Sequence, residues 1–341
     1  LKNTKIRGVE SNGMLLSERE MGISDDHEGI VDLPTNTELG LEAAAVMGLD
    51  DPVIELSITP DRADCFGVRG IARDLSAAGI GTLKPLYADS ITGSFEPPIK
   101  WQRDFPSGEE TACPMVVGRH FRGVKNGPSP QWVQERLKAI GLRPISALVD
   151  ITNLVTFDLC RPLHVFDADK LAGDLTMRFA QKGEKILALD GKEYSLEDGM
   201  NVIADDNGVQ AIGGIIGGEE TGCTEETTNV FLEVALFDPI RTATTGRKLS
   251  IESDARYRFE RGLDPVSVNW GADVATKLIL EFCGGEASEL TVAGEMPKWD
   301  RPVSLRPKRM KSFGGVDVES DEAFDILMRL GFSPKIEGGV I

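Results

Sequence analysis

The chain has 341 residues, 41% hydrophobic and 27% charged, which excludes a disordered polymer and leaves length for two or three domains of about 100–200 residues each. Its 37 basic and 55 acidic residues give a net charge of −18, which excludes indiscriminate polyanion binding, because phosphate neutralisation needs a basic excess. No apolar run of about 18 residues exists, so no transmembrane helix and no membrane partner are expected.

The start, Leu1-Lys2-Asn3-Thr4-Lys5, is followed by no apolar stretch and is not a signal peptide. It lacks an initiator Met, which suggests a piece of something longer. Residues 1–37 show no sustained helical period. The alternation of Ile54, Leu56 and Ile58 predicts a strand over Pro52–Ile58. Val68, Ile71 and Leu75 predict an amphipathic helix over Cys65–Gly79, with Asp64 as its cap and Gly79 as its stop. Residues 86–100, with Gly93, Pro97 and Pro98, read as a linker, and a second boundary falls near Pro297–Pro302.

Between these boundaries lies the main domain. Ser129-Pro130 opens a helix that ends at Gly141, with Trp132, Val133, Leu137 and Ile140 on its apolar face. Residues 175–236 are β-rich, with hairpins at Asp190-Gly191 and Asp206-Asn207-Gly208 and a strand over Val230–Leu236. Pro265–Phe282 is a long helix stopped by Gly284. The last piece predicts a short strand, a basic turn and a helix over Glu319–Leu330.

Candidate chemistry is sparse. Five cysteines (65, 113, 160, 223, 283) are odd in number and contain no CxxC pair, so reduced cytoplasmic thiols are expected instead of zinc or a disulfide framework. His27 sits in a hydrophilic run, and His120 reads as a structural strand residue. His164 with Asp167 and Asp169 is a weak pattern for a metal-dependent hydrolase, and no metal is expected. The run Gly213–Gly218 lacks the terminal Gly-Lys-Ser/Thr of a phosphate loop. It reads as a turn, or as a pocket floor where a ligand meets bare backbone. Glu233 interrupts an apolar strand. It shares a face with Phe231 and Ala235, opposite Val230, Leu232 and Val234. Either that face is solvated or the carboxylate is buried in a pocket with a partner.

Several motifs converge on one family. Lys5-Ile-Arg-Gly-Val-Glu-Ser-Asn-Gly-Met14, then Ser-Glu-Arg-Glu, Ile58-Thr-Pro-Asp-Arg-Ala-Asp-Cys65, Arg143-Pro-Ile-Ser, Asp150-Ile-Thr-Asn153, Arg161-Pro-Leu-His-Val-Phe-Asp167 and Arg258-Phe-Glu-Arg-Gly262 follow in consistent order. Together they resemble the beta-subunit family of bacterial phenylalanyl-tRNA synthetases, essentially end to end. The resemblance implies an α+β multidomain fold. Residues 1–35 look like the tail of a tRNA-binding OB-type domain, 36–90 a small α/β module, 100–298 a mixed, β-rich B3/B4 editing domain with flanking helices, and 301–341 the start of a B5 domain.

The resemblance also implies a function. The family hydrolyses mischarged Tyr-tRNA(Phe), takes part in tRNA(Phe) aminoacylation with an alpha subunit in an α2β2 heterotetramer, and works in the cytoplasm. ATP and Mg are expected for the full enzyme and no cofactor for this stretch, which would not aminoacylate alone. By motif position, Glu233 matches the glutamate that recognises the tyrosine hydroxyl, and His164 the pocket histidine. Thr152 and Asn153 match the lining pair, Gly213 and Gly214 the floor, and Ser253 and Ala255 the back wall. Gly213 and Ser253 are smaller than the Ala and Thr of some members, so pocket tightness and Tyr/Phe selectivity stay open there. A non-editing scaffold that docks tRNA is the alternative within the family.

The acidity is local. Residues 191–233 carry a net −9, whereas 119–149 (Arg119, Arg122, Lys125, Arg136, Lys138, Arg143 against Glu135) and 301–315 each carry +5. Each basic window is either a solvated face or a limited RNA contact.

Overall fold

The structure is a computed structural model and describes residues 4–11, 13–23 and 26–341. Residues 1–3, Asn12 and 24–25, part of the expected OB-type tail, lie outside the described residues. The chain divides into two units, one up to Ile54 and one from Glu55 to Ile341, so the division falls inside the 36–90 module.

In the first unit, β1 (Thr4–Ile6) and β2 (Val9–Ser11) form an antiparallel hairpin. Its two turn residues, Arg7 and Gly8, both have positive φ (51° and 86°), as a two-residue hairpin turn requires. Ser17 caps α1 (Glu18–Met21) by a capping box. Its Oγ accepts the Glu20 N–H, and the Glu20 carboxylate accepts the Ser17 N–H. A single turn, α2 (Ala43–Val46), follows.

The strand expected over Pro52–Ile58 does not form. Val53, Ile54 and Leu56 are exposed, and no partner strand pairs with them among the described residues. Alternation without a neighbouring backbone does not make a sheet.

The second unit begins with α3 (Val68–Ala77), capped at Gly67 with no side-chain bond. The expected cap, Asp64, is instead ion-paired with Arg62 and Arg73. Then come β3 (Trp101–Asp104), β4 (Met115–Arg122) and α4 (Gln131–Ala139). Val133 and Leu137 of α4 are buried, whereas Trp132 and Ile140 are exposed. The hydroxyl of Ser129 donates to Asp150 at 2.5 Å, so Pro130 holds the cap position alone. Next are α5 (Ala147–Leu159), β5 (His164–Asp167) and β6 (Leu175–Phe179).

Both expected hairpins form, as β7 (Lys185–Leu187) with β8 (Glu193–Ser195) and β9 (Asn201–Asp205) with β10 (Gly208–Ile212). They are followed by β11 (Ile216–Gly217), β12 (Asn229–Ala235), α6 (Pro239–Leu249), α7 (Asp254–Phe259), α8 (Ser267–Cys283) and β13 (Glu286–Gly294). The basic stretch near 301–315 is not strand and turn but helix α9 (Pro307–Gly314), opened by Pro307 at its first turn and closed by Gly315 at φ 74°. Last comes α10 (Ser320–Arg329).

Two sheets organise this unit, an α+β arrangement. One is antiparallel, in the order β13-β4-β12-β5. The other runs β11-β10-β9-β6-β3, with β3 and β6 parallel. On one face of the first sheet, Val117, Phe121, Val230, Leu232 and Val234 meet Leu148, Ile151 and Val155 of α5 and Ala272, Ala275 and Ile279 of α8. On its other face, Val116, Phe166, Phe231 and Ala235 meet Trp101, Leu175, Met177 and Ile203 of the second sheet. β12 is therefore covered on both faces, which explains why it is apolar apart from Glu233 and its first residue, Asn229.

Candidate active site

Glu233 lies on the face of β12 that looks between the two sheets, beside Phe231 and Ala235. It is 5% exposed, and its Oε1 has no hydrogen-bond partner. The solvated-face alternative is thereby excluded. His164 of β5 is its register partner across the ladder, so both side chains project to the same inner face. The His164 ring crosses the Phe166 ring at 4.4 Å, and its Nε2 is buried without a partner. Gly217 makes room for this ring, since a Cβ there would lie 2.4 Å from His164 Cε1.

Burial sets both charge states. It pushes the Glu233 carboxyl up to about 7, against the opposing pull of the Arg161 guanidinium. It pushes His164 down to about 4, so that imidazole is neutral at pH 7. The interior therefore holds a carboxyl poised near neutrality beside a neutral imidazole.

The expected floor is a turn between β10 and β11. The Gly213 N–H is spent on Asn201 O at 2.9 Å, so it is not free to hold an oxyanion. Phe237 covers this turn. A Cβ at Gly213 would lie 2.7 Å from its ring, and one at Gly214 (φ 70°) would lie 2.8 Å from it. Ser253 caps α7 by accepting the Arg256 N–H, and its hydroxyl donates to Ile215 O at 2.6 Å. One hydroxyl thus ties the expected back wall to the expected floor. Ala255 follows on α7, half-buried against the inner core. Thr152 and Asn153 are half-buried on α5. The Thr152 hydroxyl donates to Val149 O of its own helix at 2.7 Å. One turn beyond Asn153, Phe157 carries the Arg258 guanidinium of α7 at 4.5 Å. The fold therefore brings His164 and Glu233 together and joins floor to wall. No hydrogen bond among the described residues ties Thr152 or Asn153 to the carboxylate.

His164, Asp167 and Asp169 do not converge as metal ligands. Asp167 projects to the face of β5 opposite His164 and accepts from Thr227 Oγ1 at 2.7 Å, while Asp169 accepts from Asn229. Among the described residues, Asp64, Cys65 and Asp74 do cluster, but the Arg62 and Arg73 guanidiniums occupy that cluster.

The basic window needs one correction. Arg119 is 1% exposed, with its guanidinium turned inward to Ile91 O and Thr276 Oγ1, so it is withdrawn as an RNA contact. Arg122 is exposed but paired with Glu286 at 2.6 Å and stacked on Phe95. Lys125, Arg136, Lys138 and Arg143 are exposed, and Arg136 lies over the half-exposed Trp132 ring at 4.9 Å.

Sequence reasoning missed two residues. Phe237 lies two residues past β12 but carries no sequence signal for a pocket. Arg161 stands in a quoted motif, yet nothing local marks it as fully buried.

The B3/4 domain family matches residues 112–284. The phenylalanine–tRNA ligase beta subunit of Paramagnetospirillum magneticum is 55% identical over 97% of this chain and 41% of its own length. That of Brucella abortus is 56% identical over 99% of this chain and 42% of its own. A crystal structure of an N-terminal fragment of the phenylalanyl-tRNA synthetase beta subunit from Pyrococcus horikoshii, 16% identical, aligns over 83% of this chain and 78% of that one at a TM-score of 0.39, too distant to bear on the site. The chain spans about two-fifths of the length of the curated relatives it matches. It belongs to the B3/4 domain family, in the form carried by phenylalanine–tRNA ligase beta subunits.

Proposed function

We propose that this chain carries the site that hydrolyses tyrosine wrongly attached to tRNA(Phe), as part of a cytoplasmic synthetase in which it acts with an alpha subunit in an α2β2 assembly. The supporting observation is the buried Glu233 carboxylate with an unpartnered oxygen, in register with a half-buried His164 whose Nε2 is buried and unpartnered. An apolar pocket rejects an added hydroxyl only by about 100-fold, so a synthetase for phenylalanine needs a second check. A buried acceptor supplies it. The phenol of tyrosine donates a charge-assisted bond to Glu233, whereas phenylalanine leaves that oxygen unpaired.

In the reaction, a water oxygen attacks the ester carbonyl and the bond to the ribose oxygen breaks. One proton passes from water to that ribose oxygen, releasing tyrosine and tRNA with a free terminal hydroxyl. His164 at about 4 is too weak a base to take the proton at pH 7. Its neutral ring orients the aminoacyl group or the water, and the terminal RNA hydroxyl remains available to relay the proton. In this reading the family motif assigns Thr152, Asn153, Gly214 and Ala255 to the approach.

ATP and Mg belong to the whole synthetase in this reading. The Gly213–Gly218 run does not fit a nucleotide phosphate, because Phe237, His164 and Gln210 O fill the spaces its glycines leave.

A second reading, a scaffold that docks tRNA without editing, is favoured by the Phe237 ring covering the floor. Deacylation decides between them. Tyr-tRNA(Phe) is expected to be hydrolysed at least tenfold faster than Phe-tRNA(Phe), and Glu233→Ala to abolish the difference. Equal rates on both substrates, measured in the assembled synthetase, would establish the scaffold.

A further inference from the structure

Arg161 is fully buried, yet no carboxylate lies within ion-pair distance of it among the described residues. Its terminal nitrogens donate to Ala235 O and, at 3.5 Å, to Ser267 Oγ. Its Nε has no partner. The stem lies against Gly271, where a Cβ would come within 2.9 Å of Arg161 Cγ, and the guanidinium lies 5.5 Å from the Phe259 ring centroid. This side chain is threaded through a space made by a glycine and fastened to β12.

Its anchor, Ala235, is two residues beyond Glu233 on the same face of the same strand, about 7 Å along it. An unpaired guanidinium, held between α8 and the end of β12, and an unpaired carboxylate on the inner face of β12 are therefore both buried, coupled through space but not in contact. An isolated buried charge is very costly, and each of these two offsets that cost for the other.

We infer that Arg161 is a positioning residue for the carboxylate of Glu233: fastened to the strand that bears it, the guanidinium opposes the protonation that burial favours and so leaves the carboxylate able to accept a hydrogen bond from an incoming hydroxyl. The inference rests on the editing reading for its role, but the coupling of the two side chains stands apart from it. The charged and titratable groups facing the pair are few. Glu233 is coupled through space to Arg161 and the Cys113 thiol and faces the neutral His164 ring. Arg161 meets Glu233, Asp264, Cys160 and Cys113. With Glu233 poised near 7, loss of one neighbouring positive charge shifts it from about half ionised towards neutral at pH 7.

The first test is the titration of Glu233 in this chain, followed by carboxyl-carbon NMR. Arg161→Gln is expected to raise its midpoint by at least one pH unit, and Arg161→Lys to keep it within half a unit. An unchanged midpoint in a folded Arg161→Gln protein overturns the inference. A second readout needs no change at Arg161, should that variant fail to fold. The Arg161 Hε resonance of the unaltered chain is expected to shift with the Glu233 midpoint and to lose that shift in Glu233→Gln. A flat Hε resonance also overturns the inference.

In the assembled synthetase, the pH profile of Tyr-tRNA(Phe) deacylation should move up with the same midpoint in Arg161→Gln, with activity returning at higher pH. Coupled titration without any Glu233-dependent deacylation would overturn the editing reading and leave the pairing intact.

Discussion

Glu233, buried, and His164, half-buried, share one inner row and titrate in opposite senses. The folded Glu233 holds its proton up to about pH 7, above the unfolded value of 4.5. Between those values the folded state binds more protons, so this group's contribution to stability falls as pH rises. The folded His164 sheds its proton near pH 4, below the unfolded 6.5, so its contribution rises with pH across that window. From about pH 4.5 to 6.5 the two slopes oppose each other. Glu233→Gln is expected to unmask the histidine slope. Its stability relative to the unaltered protein should be constant below about pH 4.5 and should increase by on the order of 3 kcal/mol by pH 8. Urea unfolding at several pH values measures this. A difference that does not vary with pH would show Glu233 to be solvated.

At the level of elements, the link that matters joins the β10–β11 turn to α7. Ser253 accepts the Arg256 N–H of its own helix and donates to Ile215 O of the turn. Ser253→Ala loses a cap and a tertiary bond together, at a cost of about 1–2 kcal/mol. Thermal unfolding should register this as a fall of a few degrees. Deacylation in the assembled synthetase should lose selectivity as floor and wall separate. A melting temperature within one degree of the original would show that the link carries no load. The sequence marked Ser253 as pocket wall by resemblance, but only the fold shows its hydroxyl committed to backbone at both ends.

For the whole molecule, the proposed tRNA contact has to be made by a chain of net charge −18. Burial of Arg119 and pairing of Arg122 with Glu286 reduce the basic window to Lys125, Arg136, Lys138 and Arg143, beside the half-exposed Trp132. A surface of few charges gives modest, salt-sensitive affinity. Arg136→Glu with Lys138→Glu is expected to weaken tRNA(Phe) binding and to reduce the salt dependence of its logarithm by about two contacts' worth. Filter binding at several salt concentrations tests this, and an unchanged slope would place the RNA elsewhere.

Much of this protein was legible in the sequence because local chemistry carries it. The two Asp-Gly and Asn-Gly turns specify their hairpins whatever surrounds them. The period-two pattern of β12 set Phe231, Glu233 and Ala235 on one face before any neighbour was known. The ordered motifs identified the family that carries the B3/4 domain. Three matters waited for tertiary structure. Pro52–Ile58 has the pattern of a strand, but a strand exists only where another backbone pairs with it. Arg119 and Arg161 read as surface charges in any local window, and only the packing of distant elements around them makes them interior groups. The charge state of Glu233 is likewise absent from its own strand. It follows from two sheets excluding water and from a guanidinium 72 positions earlier in the chain, because desolvation and Coulombic attraction act through space.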